Sequence, residues 1–167
     1  MRSGGEGWLP INGSPVALVT WYAPLGPVAL LTPWVAVISD QPPALRAGCS
    51  VHLAAGTVPP DALDFAVNIP TEPPVPALQA LLARAVPCVP LLIDDATSVT
   101  PARSVHAPLL AGCALQIECA CGRVTASGWD AELAGEIVLL HRGGLLVAPA
   151  TYPDFCALQP LRTRYPS

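Results

Sequence analysis

The stretch Val16-Ala17-Leu18-Val19-Thr20-Trp21-Tyr22, followed by Ala23-Pro24-Leu25-Gly26-Pro27 and then by Val28-Ala29-Leu30-Leu31, decides the fold class. The first run is β-branched, apolar and aromatic, which suits a pleated, packed surface. The second holds two prolines and a glycine, the residues that preset or permit turn geometry. A second apolar run after a short turn predicts a β-hairpin.

Working outward, Trp34 to Ile38 predicts a third strand, closed by Ser39-Asp40-Gln41-Pro42-Pro43. A double proline donates nothing to a ladder and marks a strand boundary or an edge. Ala44 to Leu53 predicts a further strand, and Asp64-Phe65-Ala66-Val67-Asn68-Ile69-Pro70 a short one ended by proline. Strand character fades between them, over Ala54 to Leu63. Within Pro76 to Val86 the period changes. Leu78, Leu81, Leu82 and Ala85 recur at i, i+3, i+4 and i+7, so a short helix is expected there, placed over the end of a barrel. Ala114 to Thr125, Ala134 to His141 and Leu145 to Ala148 predict strands, with Gly143-Gly144 as a hairpin turn. Many short strands, frequent turns and one helix give an all-β, β-rich barrel or sandwich with short helices. With 167 residues, one domain covering 1–167 is expected.

Composition excludes several classes of function. Charged residues make up 12% of the chain, about half the usual share, while 52% is hydrophobic. All eight basic residues are arginines, so there is no lysine for a Schiff base, a phosphate-binding loop or a polybasic stripe. A net charge of −4 gives no footprint for nucleic acid. From Gly7 to Ser39 no side chain is charged, but five prolines interrupt that run, which argues against a spanning helix and for buried strands and turns. The N-terminal MRSGGEGWLP has no apolar signal-peptide core, so a cytoplasmic protein is expected.

Residue chemistry yields no catalytic constellation. Cys49, Cys88, Cys113, Cys119, Cys121 and Cys156 form no C-x-x-C pair and read as free thiols of a reducing compartment. Cys119 and Cys121 would share one face of a regular strand, yet no histidine is spaced to complete a metal site, and none is expected. His141 precedes a glycine turn and reads as a solvated edge residue. His106 lies in a loop without a diagnostic neighbour, and His52 stands where an apolar strand gives way to a loop. Asp94-Asp95 reads as a turn or strand end rather than an acid/base couple. No G-x-S-x-G elbow and no G-x-G-x-x-G occur.

A chain-wide resemblance goes further. Ser14-Pro15-Val16-Ala17-Leu18-Val19-Thr20 resembles the opening strand of the flavin reductase-like, FMN-binding split-barrel family, the flavoredoxin and flavin reductase group. Trp34 with Val37 to Pro43 is similar to that family's aromatic, strand and D-P-P-like corner. Asp64 to Glu72 is similar to its F-V-V-N-I-P-type strand. Val105 to Leu110, Leu115 to Cys119 and Gly135 to Val138 resemble its K-A-P-L-I, L-E-C and G-E-V-V elements.

The similarity runs from about residue 14 to residue 141 and implies a homodimeric, six-stranded antiparallel Greek-key split β-barrel of the FMN-binding type. It implies noncovalent FMN, reduced by hydride from NADH or NADPH. Free flavin, a partner monooxygenase or another acceptor would stand downstream. The rival readings are an FMN electron carrier without NAD(P)H turnover and a degenerate split-barrel dimer binding another small ligand or none. Carried over residue by residue, the resemblance places Leu31, Thr32, Pro33, Trp34 and Ser39 along the flavin, and Gly48, Cys49, Ser50 and His52 around its phosphate. Catalytic residues stay unassigned. The chain departs from the family where Leu31 and Pro33 replace a hydroxyl residue and a small one, and where Leu53 and Ala55 replace an arginine and a threonine. Backbone amides, Ser50, His52 or Arg46 are left to hold the phosphate. Asn68 is expected to satisfy backbone groups at a strand end, and Glu118 and Glu136 to make polar contacts.

Overall fold

The computed structural model describes residues 17–32, 34–40, 43–49, 63–71, 73–86, 89–127, 130–143 and 145–147. Pro33, Ser50, His52, Leu53, Ala55, Cys88 and Cys156 lie outside these residues, as does most of the 54–63 stretch.

The hairpin that opens the chain is β1 (Ala17–Ala23) and β2 (Gly26–Thr32), with Ala23 opposite Gly26 across the turn residues Pro24 and Leu25. Next come β3 (Trp34–Asp40), β4 (Pro43–Cys49) and β5 (Leu63–Pro70). Then follow α1 (Pro76–Arg84), the short strands β6 (Leu91–Leu92), β7 (Val99–Pro101) and β8 (Pro108–Leu110), and the long β9 (Cys113–Ser127), β10 (Asp130–Arg142) and β11 (Leu145–Val147). The sequence patterns locate the long strands and the helix to within a few residues.

All ladders are antiparallel, in the order β3-β4-β10-β9-β5-β1-β2-β6, with β11 beside β10 and a separate β7-β8 pair. The sheet curls on itself. Val35 of β3, Leu45 of β4 and Leu30 of β2 share one buried cluster with Val67 and Ile117 from the middle of the sheet. Among the described residues no ladder joins β3 to β2 or β6, so the barrel is split rather than closed.

Alternation sends Ala17, Val19 and Trp21 of β1 and Phe65, Val67 and Ile69 of β5 into the barrel, all with no exposed surface. Each large side chain buried in this way contributes roughly 1.5–3 kcal/mol. The interior packs tightly enough to dictate a glycine. An added Cβ at Gly135 of β10 would lie 2.8 Å from the Phe65 ring and 3.2 Å from Cβ of Cys119.

The outer face of β1 is buried as well, which explains why the strand reads as continuously apolar. Leu78 and Leu81 of α1 pack on Leu18, Ala29 and Leu110. The helix therefore lies against the outer wall of the β1–β2 hairpin, not over a barrel end as the sequence suggested. Pro76 opens its first turn and Arg84 closes the last, each where helix-terminal chemistry favours it. The three short strands went unpredicted, because a run of two or three residues carries no period of its own. No helix among the described residues is long and apolar enough to cross a membrane.

Candidate functional site

β2 delivers Leu31 and Thr32 to the junction with β3, where Trp34 begins the next strand. Trp34 pairs with Gly48 of β4, and Gly48 and Cys49 pair on their other side with Glu132 and Ala131 of β10. Thus Thr32, Trp34, Gly48 and Cys49 meet at one corner of the sheet, where β2 and β4 end and β3 begins. Pleating divides the two β2 residues. Thr32 is 1% exposed, whereas Leu31 stands opposite Leu18 and packs with the helix cluster on the outer wall. Only one of them can face a ligand held on one side of β2. Ser39 pairs with Ala44 at the opposite end of β3, about five residues or roughly 16 Å along the strand from Trp34. Of the expected residues, Thr32, Trp34, Gly48 and Cys49 thus lie near the β2–β3–β4 corner, Leu31 turns to the outer wall and Ser39 lies at the far end of β3, while Pro33, Ser50 and His52 lie outside the described residues. Arg46, one pleat from Gly48 and flanked by the inward-facing Leu45 and Ala47, places a guanidinium on the outer face of β4.

A second polar assembly, mostly unforeseen, lies on the outer face of β1, β5, β9 and β10. Asn68 donates from Nδ2 to the Leu18 carbonyl at 3.0 Å and to Thr20 Oγ1 at 2.9 Å, and its Oδ1 accepts the Leu110 N–H at 3.0 Å. The expectation that Asn68 satisfies backbone groups is met. Thr20 Oγ1 donates to the Pro108 carbonyl at 2.6 Å, and Gln116 Nε2 to the Leu110 carbonyl at 2.5 Å.

Next to them the Glu118 carboxylate, with no exposed surface, accepts the Arg103 N–H at 2.9 Å on Oε2 and the Ser104 N–H at 2.7 Å on Oε1. His141 Nε2 lies 2.5 Å from the same Oε2. His141 is not the solvated edge residue its sequence position suggested. The register slips by one residue at Val138, between the pairs Ile137–Cys119 and Leu139–Glu118, so Leu140 returns to the core and His141 turns outward onto Glu118. The polar alternation of Gln116 and Glu118 with Leu115, Ile117 and Cys119 was the visible signal for this seam. The bulge that completes it leaves no mark in residue type.

Other candidate chemistry resolves into structure. Cys119 sits fully buried in the barrel core, where burial and then the neighbouring Glu118 charge push its thiol well above the ordinary value. Burial pushes the Cys113 thiol up to about 12. The ladder also slips beyond Cys119, between the Phe65–Cys119 and Leu63–Gly122 pairs, so simple alternation does not carry from Cys119 to Cys121. Among the described residues no group of three or more potential ligands is placed to hold a metal. Asp94 makes a local turn, accepting the Ala96 N–H at 3.2 Å on Oδ1, and pairs with Arg84 at 3.0 Å. That matches the turn expected for Asp94-Asp95. His106 stacks on Tyr22 with ring centroids 4.6 Å apart and gives its N–H to Asp64 at 2.8 Å.

No protein-family model matches the chain, and no curated protein sequence does either. Solved structures do. The NADH:FAD oxidoreductase of Streptomyces globisporus C-1027 superimposes with a TM-score of 0.57 at 20% identity, over 83% of this chain and 86% of that one. The flavoredoxin of Methanosarcina acetivorans does so with a TM-score of 0.65 at 18% identity, over 87% of this chain and 77% of that one. BorF, the flavin reductase component of a bacterial two-component tryptophan halogenase, gives 0.53 at 18% identity, over 83% and 91%. The curled, split antiparallel sheet and its likeness to an NADH:FAD oxidoreductase, a flavin reductase component and a flavoredoxin give the chain the flavin reductase-like split-barrel fold.

Proposed function

We propose that this chain is an FMN-dependent oxidoreductase that moves hydride from NADH or NADPH to flavin. The observation that carries the reading is the meeting of Thr32, Trp34, Gly48 and Cys49 at one corner of a fold shared with reductases. FMN, held noncovalently, would supply the hydride and electron chemistry, and the protein its position, electronics and access.

The donor set at the corner fits such a group. On the outer face Gly48 and Cys49 bring main chain at a strand end and Arg46 a guanidinium one pleat from Gly48, while the buried Thr32 hydroxyl lies on the inner face of β2. A charge-assisted contact to phosphate contributes about 1.5–3 kcal/mol, so Arg46 is the natural substitute for the family arginine that Leu53 replaces. In this reading Trp34 walls the flavin, while Pro33, Ser50 and His52 complete the pocket. Leu31 supports it from behind, packed with the helix, and Ser39 lies beyond it along β3. Binding of this kind needs no protein acid or base, which accords with the lack of a catalytic constellation in the sequence.

The physiological unit we propose is a cytoplasmic homodimer of one split-barrel domain, residues 1–167, passing reduced flavin or electrons to a partner monooxygenase or another acceptor. Support for a partner comes from BorF, named as one component of a two-component halogenase. The free thiols of Cys113 and Cys119 accord with a reducing compartment.

The flavoredoxin likeness favours a second reading, an FMN electron carrier without NAD(P)H turnover. Gel filtration with excess FMN tests the common premise: flavin absorbance is expected to travel with the protein, and its absence sinks both readings in favour of a degenerate barrel. Stopped-flow mixing with NADH and with NADPH separates them, since a reductase bleaches the flavin and a carrier does not. Trp34→Ala is expected to weaken FMN binding without unfolding the protein. An unchanged affinity would move the flavin elsewhere.

A further inference from the structure

The face that carries Trp34 and Gly48 continues across two more strands, and register gives its layout. Trp34 stands opposite Gly48, Gly48 opposite Glu132, and Glu132 opposite Thr125. Two residues along, the next row of the same face runs Ala36, Arg46, Ala134 and Arg123. The row between them is Val35, Ala47, Leu133 and Val124, and its first three members belong to the barrel core. The rows of Trp34 and Arg46 therefore both lie on the outer wall. Ala134 is the centre of a cross of charged positions. Arg46 of β4 and Arg123 of β9 flank it across the ladder, while Glu132 and Glu136 flank it along β10. Directly opposite residues are rooted about 5 Å apart, so the two arginine positions stand roughly 10 Å apart with only a methyl group between them.

We propose that Arg46 and Arg123 form a two-armed clamp for the phosphate of FMN, with Ala134 as its floor. The clamp rests on the flavin reading above and carries its site from β4 onto β9. A phosphate monoester near neutral pH holds close to two negative charges, which one guanidinium does not balance. Arginine donates in a planar fork that matches two phosphate oxygens, so forks arriving from opposite sides serve one dianion better than either alone. The floor between them must be low. A long side chain at 134 would fill the seat, and alanine leaves it open. Trp34 and Gly48, assigned to the flavin above, lie on the same face one row away, about 7 Å along the strands. Glu132 and Glu136 offset the arginine charge on this face, as diagonal neighbours in a ladder do. If the four charges only pair with one another, the face is a stabilising surface and phosphate goes unread.

Riboflavin, which is FMN without its phosphate, supplies the control. Dissociation constants for both are read from flavin fluorescence on titration with the purified full chain. The native sequence is expected to bind FMN about tenfold or more tightly than riboflavin. Arg123→Gln and Arg46→Gln should each weaken FMN by roughly ten- to hundredfold and riboflavin by less than about threefold. Ala134→Glu should erase the preference for FMN while keeping both arginines, because it sets a carboxylate between them. Circular dichroism and the urea midpoint establish that each variant is folded, and Ala134→Glu decides the matter if a glutamine variant is not. An Arg123→Gln chain that keeps the full preference for FMN would overturn the clamp and leave the four charges as surface pairs. Equal binding of FMN and riboflavin by the native chain would overturn the clamp alone. Binding of neither would remove the flavin reading itself, and the clamp with it.

Discussion

Two neighbouring rows of residues cross the barrel one position apart and are buried by different physics. The inner row runs Leu30, Val19, Val67, Ile117 and Leu140, each directly opposite the next and each no more than 1% exposed. The adjacent row runs Leu31, Leu18, Asn68, Gln116 and His141 on the outer face, where three of five members are polar. The inner row is held by non-directional loss of apolar area, which tolerates exchange of similar shapes. The polar members of the outer row are held by directional bonds, Asn68 and Gln116 to the main chain of Leu110 in β8 and His141 to the Glu118 carboxylate, which tolerate almost none. Non-directional burial and directional hydrogen bonding are thus assigned to opposite faces of the same strands.

Removing a large inner side chain should break the comparison on the apolar side. Phe65→Ala is expected to cost about 3–5 kcal/mol in urea denaturation, with the tertiary contacts of the barrel lost together. On the polar side, Asn68→Ala strips an acceptor from the Leu110 N–H and a donor from the Leu18 carbonyl. A loss of about 2–3 kcal/mol is expected, concentrated in faster amide exchange at Leu110. If Asn68→Ala instead loosens the inner strands first, the two faces are not separable.

Gly135→Ala should cost about 1–3 kcal/mol by overpacking against Phe65, and pairing it with Phe65→Leu should recover part of the loss in the same denaturation assay. The buried thiols sharpen the contrast through pH. Cys113 ionises near 12 in the folded chain against 9.0 for an ordinary thiol, so the folded state retains a proton that the unfolded state releases. Stability is intact below pH 9.0 and falls as pH rises from there toward 12, by on the order of 1 kcal/mol for the first unit. Cys113→Ser should flatten that alkaline slope, measured as the urea midpoint at successive pH values. The smallest effect belongs to the exposed pair. Arg84→Ala removes the ion pair to Asp94 between half-exposed side chains, and a change under about 1 kcal/mol is expected.

The inner face was legible in the sequence because its rule is local. Alternation in Asp64 to Pro70, the apolar hairpin of β1 and β2, and the leucine spacing of α1 each state their own element. The strand β6 was not legible, since it exists through a partner far away in sequence, Val28 opposite Leu92, and β7 and β8, three residues each, carry no period of their own. The candidate flavin corner came through a different route. Trp34 and Gly48 were named by resemblance, and register then placed them opposite each other, while Ser39 fell at the far end of its strand. His141 was misread because its direction depends on an irregularity three residues earlier, in a strand whose residue types read as ordinary.

That irregularity at Val138 works like a parity bit. Every side chain after it takes the opposite sign from the one that plain counting would assign, and Leu140 and His141 exchange destinations accordingly. What is encoded at this point of β10 is a count of residues rather than the identity of any one of them. Deleting that single residue would straighten the strand and leave both destinations as they are, whereas regularising the strand with residue 138 retained would drive an imidazole into the barrel and a leucine onto a carboxylate.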